Sequence, residues 1–151
     1  MKEVSAGIIL FRRTPKIKYL LLYRKAHEVN GVKYSEAWVF PRGNIEANET
    51  ELEAALRELK EETDIEEVTI IPGFKEKISW FYRKAGKNIY KEVVYFLGET
   101  KQEKVKLSYE HDGYAWLSYE EALAKLKFKN VKDVLKKANE YLEKICKSKN
   151  I

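Results

Sequence analysis

The chain has 151 residues, of which 44% are hydrophobic and 35% charged, and its formal net charge is +5. That length suits one hydrophobic core rather than two, and no apolar run nears the ~20 residues of a bilayer-spanning helix. With one cysteine, Cys146, an internal disulfide and a cysteine-rich zinc site are excluded, and Met1-Lys2-Glu3-Val4 lacks a signal-peptide pattern, so a soluble cytoplasmic protein is expected.

Val4–Phe11 and Tyr19–Tyr23 are β-rich runs joined by residues 12–18, where Thr14-Pro15 marks a connection, and they predict a hairpin. Trp38-Val39-Phe40 reads as a short strand. Thr50 with Glu53 carries the capping-box signature of a helix running to Thr63. Ile78–Tyr82 and Tyr90–Leu97, on either side of Lys84-Ala85-Gly86-Lys87-Asn88, predict a second hairpin. Tyr114–Leu117 gives a last strand, Ser118 with Glu121 caps a helix into Lys127, and Asn130 and Asp133 open the final helix. Strands and helices alternate without repeats or a linker, which predicts one domain over 1–151, of α/β (α+β) class, with a mixed sheet between helices. The charge excess lies largely in residues 127–149, where Val131, Val134, Leu135, Ala138, Tyr141, Leu142 and Ile145 recur at helical spacing. That pattern reads as an amphipathic helix with a solvated basic face rather than a nucleic-acid surface.

The helix over residues 50–63 carries the chemistry. Its period puts Glu58 and Glu62 about 40° apart and Glu61 about 60° from Glu58. Both Glu58 and Glu62 closely flank the apolar stripe of Leu52, Ala55, Leu56 and Leu59. Carboxylates at i,i+3 and i,i+4 repel, and a half-buried unpaired charge is unfavourable, but a cation reverses both penalties. Hard oxygen ligands suit Mg²⁺ or Mn²⁺ and a phosphate ester or anhydride substrate.

Gly43-x5-Glu49-x7-Arg57-Glu58-Leu59-x-Glu61-Glu62-x-Asp64-Ile65 resembles the Nudix box. The family form ends in Gly where this chain has Asp64, a residue that tolerates the left-handed conformation of a helix stop. The resemblance implies the Nudix α/β/α sandwich. Gly73-Phe74-Lys75, Lys91-Glu92-Val93-Val94-Tyr95-Phe96 and Leu107-Ser108-Tyr109-Glu110-His111 extend it. With Tyr114-x-Trp116-Leu117 and Glu120-Glu121-Ala122, they look like the asymmetric diadenosine tetraphosphate hydrolases of that family.

That resemblance implies attack of water on a phosphorus of a dinucleoside polyphosphate, with Glu58, Glu61, Glu62 and the backbone carbonyl of Arg42 holding the metal. Arg57 is read as an orienting partner of Glu49 or a motif glutamate. Glu58 and Glu110 are both candidates for the general base. Lys91 matches a phosphate-binding lysine, Arg42 stands where these hydrolases usually have Lys, and Ala37 stands where a His often precedes the tryptophan. Trp80 and Tyr82 share one strand face, with Phe81 on the other, and form either a stacking wall or core packing. Tyr114 has the same ambiguity, and His111 either contacts substrate or caps its loop. The rival expectations are a Nudix enzyme of RNA 5′ ends, nucleoside triphosphates or ADP-ribose, and a non-catalytic nucleotide sensor or nucleic-acid-binding module.

Overall fold

The computed structural model describes residues 1–13 and 15–149 of the chain. Its elements, in order, are β1 (Lys2–Arg12), β2 (Lys18–Arg24), β3 (His27–Val29), β4 (Val32–Tyr34), β5 (Ala37–Val39), β6 (Arg42–Asn44), α1 (Glu51–Thr63), β7 (Thr69–Lys84), β8 (Lys87–Glu99), β9 (Gly113–Leu117), α2 (Tyr119–Lys125) and α3 (Lys129–Lys149).

One mixed sheet runs β5-β2-β1-β8-β7, with β6 added on β1 and β9 on β2. Strand β1 is its axis. Its residues 2–11 lie parallel to residues 90–99 of β8, and Ser5–Gly7 pair with β6 on the other side. Because side chains alternate across a strand, β1 feeds two cores. Ala6, Ile8 and Leu10 pack with Ala54, Ala55 and Leu59 of α1, whereas Ile9 and Phe11 pack with Leu135, Ala138 and Leu142 of α3. The result is a sheet sandwiched between helices, as the box implied. Among the described residues no helix is long and apolar enough to cross a membrane.

Several local expectations change in the folded chain. The β1–β2 hairpin is antiparallel, but its register covers only Phe11↔Tyr19 and Arg12↔Lys18, because β6 takes the rest of that edge. Thr14, part of its expected connection, lies outside the described residues. The β7–β8 hairpin is much longer than its apolar runs, and its two-residue turn puts Ala85 and Gly86 at φ 51° and 77°. Helix α2 stops at Lys125, two residues early, leaving residues 126–128 as a connector. Helix α3 begins at Lys129, so Asn130 sits inside the first turn and Phe128 supplies the opening carbonyl to Lys132. The small β3–β4 ribbon, turning at Asn30-Gly31, and strand β6 have no counterpart in the expected elements.

Candidate active site

Helix α1 is anchored at both ends before it presents any charge. Thr50 and Glu53 close the capping box, and Asp64 takes φ 60° and donates its N–H to the Lys60 carbonyl, the stop a glycine would otherwise provide. Between these anchors Arg57 gathers the motif's acids. Its Nε donates to Glu49 Oε2 at 2.5 Å and its Nη2 to Glu49 Oε1 at 3.0 Å. Nη1 donates to Glu58 at 2.8 Å and to Glu61 at 3.3 Å, and Nη2 also reaches the Asn44 carbonyl at 2.9 Å. The guanidinium is held far above its ordinary value by these acceptors. It orients both Glu49 and Glu58.

The Glu58 carboxyl lies against β6. A Cβ added at Gly43 would stand 2.0–2.4 Å from its three carboxyl atoms, so only glycine permits this approach. Burial pushes the Glu58 carboxyl up, the Arg57 hydrogen bond pulls it down, and Glu62 and Glu61 push it up further. Glu62 is buried; its Oε1 accepts the Arg42 N–H at 3.0 Å and its Oε2 meets His111 Nε2 at 3.0 Å. The loop bearing Glu110 and His111 is hung on α1 by Ser108 N–H to the Glu62 carbonyl, and on β2 by Asp112 N–H to the Tyr23 carbonyl. Oxygens of Glu62 and Glu110 and a ring nitrogen of His111 thereby lie within 4.8 Å of one another.

These groups line one end of a cleft of about 560 Å³, with Arg24, Arg42 and Lys91 as its cations. Lys91 Nζ donates to Ser5 Oγ at 2.7 Å, and burial, then the Arg42 charge, pull the ammonium below its usual value. Two further cavities meet the cleft at Arg42. One, of about 410 Å³, is walled by Trp38, Phe40, Trp80, Tyr95 and Phe128. The other, of about 300 Å³, is lined by Glu3, Tyr34, Trp80, Tyr82, Lys84 and Lys91. Trp80 is shared by both.

The fold therefore brings Glu58, Glu62, Glu110, His111, Arg42 and Lys91 together around the cleft, with Trp80 and Tyr82 beside it. Two expectations change. Glu61 does not converge with its neighbours on the cleft: its side chain is 57% exposed and packs on the outer side of Arg57. Tyr114 pairs opposite Leu22 on β9 and lines none of the three cavities. Residues without a sequence signal join instead. Phe128, 67% exposed, reaches the first cavity only because α2 ends early, and Glu3 enters the second through strand register.

Carboxylates of Glu58, Glu62 and Glu110 line one cleft, and Glu62, Glu110 and His111 hold their ligand atoms close enough together for a divalent cation. The matching family model, described as the NUDIX domain, covers residues 1–138. The asymmetrical bis(5′-nucleosyl)-tetraphosphatase of Mus musculus is 37% identical over 149 residues, covering 91% of this chain and 94% of that protein. An RNA pyrophosphohydrolase of Nitratiruptor sp. is 35% identical over 149 residues, covering 92% and 91%. A crystal structure of a C. elegans Ap4A hydrolase binary complex superposes with TM-score 0.77 at 31% identity, covering 93% of this chain and 98% of that one. The NUDIX match and the tetraphosphatase relatives mark the chain as an enzyme of phosphoric anhydride bonds. The chain belongs to the Nudix family.

Proposed function

We propose that the described residues act as one Nudix hydrolase domain that cleaves a dinucleoside tetraphosphate asymmetrically, diadenosine tetraphosphate giving ATP and AMP. The observation that carries this reading is the pair of aromatic-walled cavities opening on either side of Trp80 onto one acidic, cation-edged cleft. Two bases and a polyphosphate need that division of space, because bases stack on aromatic faces while phosphates need cations. The tetraphosphatase of Mus musculus and the C. elegans hydrolase support the same substrate class.

Glu62, Glu110 and the Arg42 carbonyl would hold a metal, Mg²⁺ or Mn²⁺, whose charge would make a bound water more acidic and offset charge on the phosphoryl oxygens. Glu61 joins this set only by leaving Arg57. Glu58 is the general base, since Arg57 fixes its carboxyl and burial raises its basicity; Glu110 stands with Glu62 on the metal side. Water adds to one phosphorus, the anhydride P–O bond breaks, and the leaving phosphate takes the electron pair. Arg42 and Lys91 hold the phosphates, Trp80 with Phe128 receives one base, and Tyr82 edges the second seat. His111 is read as fixing Glu62 rather than touching substrate.

Incubation with Mg²⁺ and diadenosine tetraphosphate in ¹⁸O-labelled water tests this by mass spectrometry. ATP plus AMP, formed faster than products from a panel of other nucleotides, is the expected result, and the label identifies the attacked phosphorus. Faster cleavage of 5′-triphosphorylated RNA would favour a second reading, supported by the RNA pyrophosphohydrolase relative and by Lys84 on the wall of the second cavity. Silence across the panel would leave a binding module.

A further inference from the structure

The two base-sized cavities are not chemically equal. The one walled by Trp38 and Phe128 has no carboxylate on its wall, its polar side chains being Arg42, Lys127, Lys129, Asn130 and Tyr95. The one beside Tyr82 holds a carboxylate, Glu3. Register explains how it gets there. Glu3 is paired with Lys91 on β8, and Lys91 with Trp80 on β7, so the three side chains form a row across one face of the sheet.

This carboxylate is fixed and only partly used. Tyr82 donates its O–H to Glu3 Oε1 at 2.5 Å, and Lys91 Nζ stands 3.7 Å from the same oxygen. Among the described residues Oε2 has no hydrogen-bond partner, while the side chain remains 29% exposed at the cavity wall. Tyr34, Trp80 and Tyr82 supply aromatic surface around it. A base entering this cavity thus meets π-faces, the cations Arg42, Lys84 and Lys91, and a carboxylate that only accepts, with Oε2 unengaged and Oε1 shared with Tyr82.

We propose that this cavity is a guanine seat, in which Glu3 reads the base of a guanosine-containing dinucleoside tetraphosphate. Guanine presents N1–H and the exocyclic N2–H₂ side by side, two donors matched to the two oxygens of a carboxylate. Adenine presents one donor beside the N1 lone pair, which faces a carboxylate oxygen repulsively. A site built to satisfy hydrogen bonds discriminates strongly against a base that leaves them unmade. This selectivity presupposes hydrolysis in the neighbouring cleft, and it sharpens that reading from tetraphosphates in general to those with guanine at one end.

The mixed adenosine–guanosine tetraphosphate tests it most sharply. With guanine always in the Glu3 cavity, asymmetric cleavage yields a single product pair, either GMP with ATP or AMP with GTP. Glu3→Gln yields both pairs, and the kcat/KM preference of the native protein for diguanosine over diadenosine tetraphosphate, about tenfold or more, collapses toward one. Both pairs from the native protein, or a preference that survives in Glu3→Gln, overturns the guanine seat. Should no tetraphosphate be cleaved, the hydrolase reading fails separately. The seat is then judged by calorimetric titration with guanosine, inosine and adenosine 5′-monophosphates. Guanosine binding tightest, inosine intermediate because it lacks the N2 amine, and a loss of this order in Glu3→Gln uphold it, whereas equal affinities reject it.

Discussion

Glu58 is held by opposing forces: burial and the charges of Glu61 and Glu62 favour its protonated form, while Arg57 favours the charged one, and the balance lies upward. A carboxyl raised on folding contributes stability that is present below its unfolded value and lost as pH rises through its folded value. Metal-free Glu58→Gln is therefore expected to unfold at higher temperature than the native protein at neutral pH, with the difference vanishing as pH falls below the ordinary glutamate range. Calorimetric scans in EDTA across pH check this, and a lower melting point at neutral pH would sink it. In turnover, Glu58→Gln and Glu62→Gln are expected to lose about 10³-fold or more in kcat, and Glu61→Gln distinctly less, because Glu61 faces outward on Arg57. Equal losses would return Glu61 to the metal's inner set. Arg57→Lys breaks the forked grip on Glu49 and Glu58 and should lower kcat by roughly 10–100-fold, measured beside metal affinity. The spacing of the box made Arg57, Glu58 and Glu62 legible in sequence, since one helix sets their geometry. Glu3 and Phe128 were not legible, because strand register and an early helix end bring them to the site.

At the scale of elements, local signals read well where the structure is local. The Thr50–Glu53 box marks the start of α1 to the residue, and the Ser118–Glu121 box does the same for α2. Thr50→Ala removes the side-chain acceptor of the Glu53 N–H and should lower stability by about 1 kcal/mol in urea unfolding. A loss well beyond that would mean that the cap also positions the cleft. The β7–β8 hairpin was found from its Gly86 turn, but its length was not, because outward-facing Lys75, Lys77 and Arg83 interrupt the apolar run without ending the ladder. The Asn30-Gly31 turn carries a hairpin signal of its own, yet strands of 3 residues on either side are too short for an alternating pattern to stand out. The parallel pairing of β1 with β8 had no local signal at all, being a contact between distant segments.

For the whole molecule, the Nudix box announces the α/β/α sandwich, but the division of labour between its faces appears only when the sheet is assembled. Trp80 lines both cavities that we propose as base seats, so Trp80→Ala is expected to reduce kcat/KM for a dinucleoside tetraphosphate by roughly 10–100-fold, a stacking contribution of ~1–3 kcal/mol. Loss of less than twofold would show that neither base rests on the indole. Strand β1 touches every part of this plan: both cores, the glycine strand beside Glu58, and the Glu3 row. Its residues 2–11 leave the ribosome before their partners at residues 90–99 exist, a delay on the order of ten seconds at ~5–20 residues per second. During that interval a strongly apolar segment has no native neighbour on its β8 side, and a nascent chain halted before β8 holds α1 only on the incomplete sheet of β1, β2 and β6. The acidic cluster is itself split in time: Glu62 waits for Glu110 and His111 to emerge and close onto it, and the Phe128 wall of the first cavity is made later still.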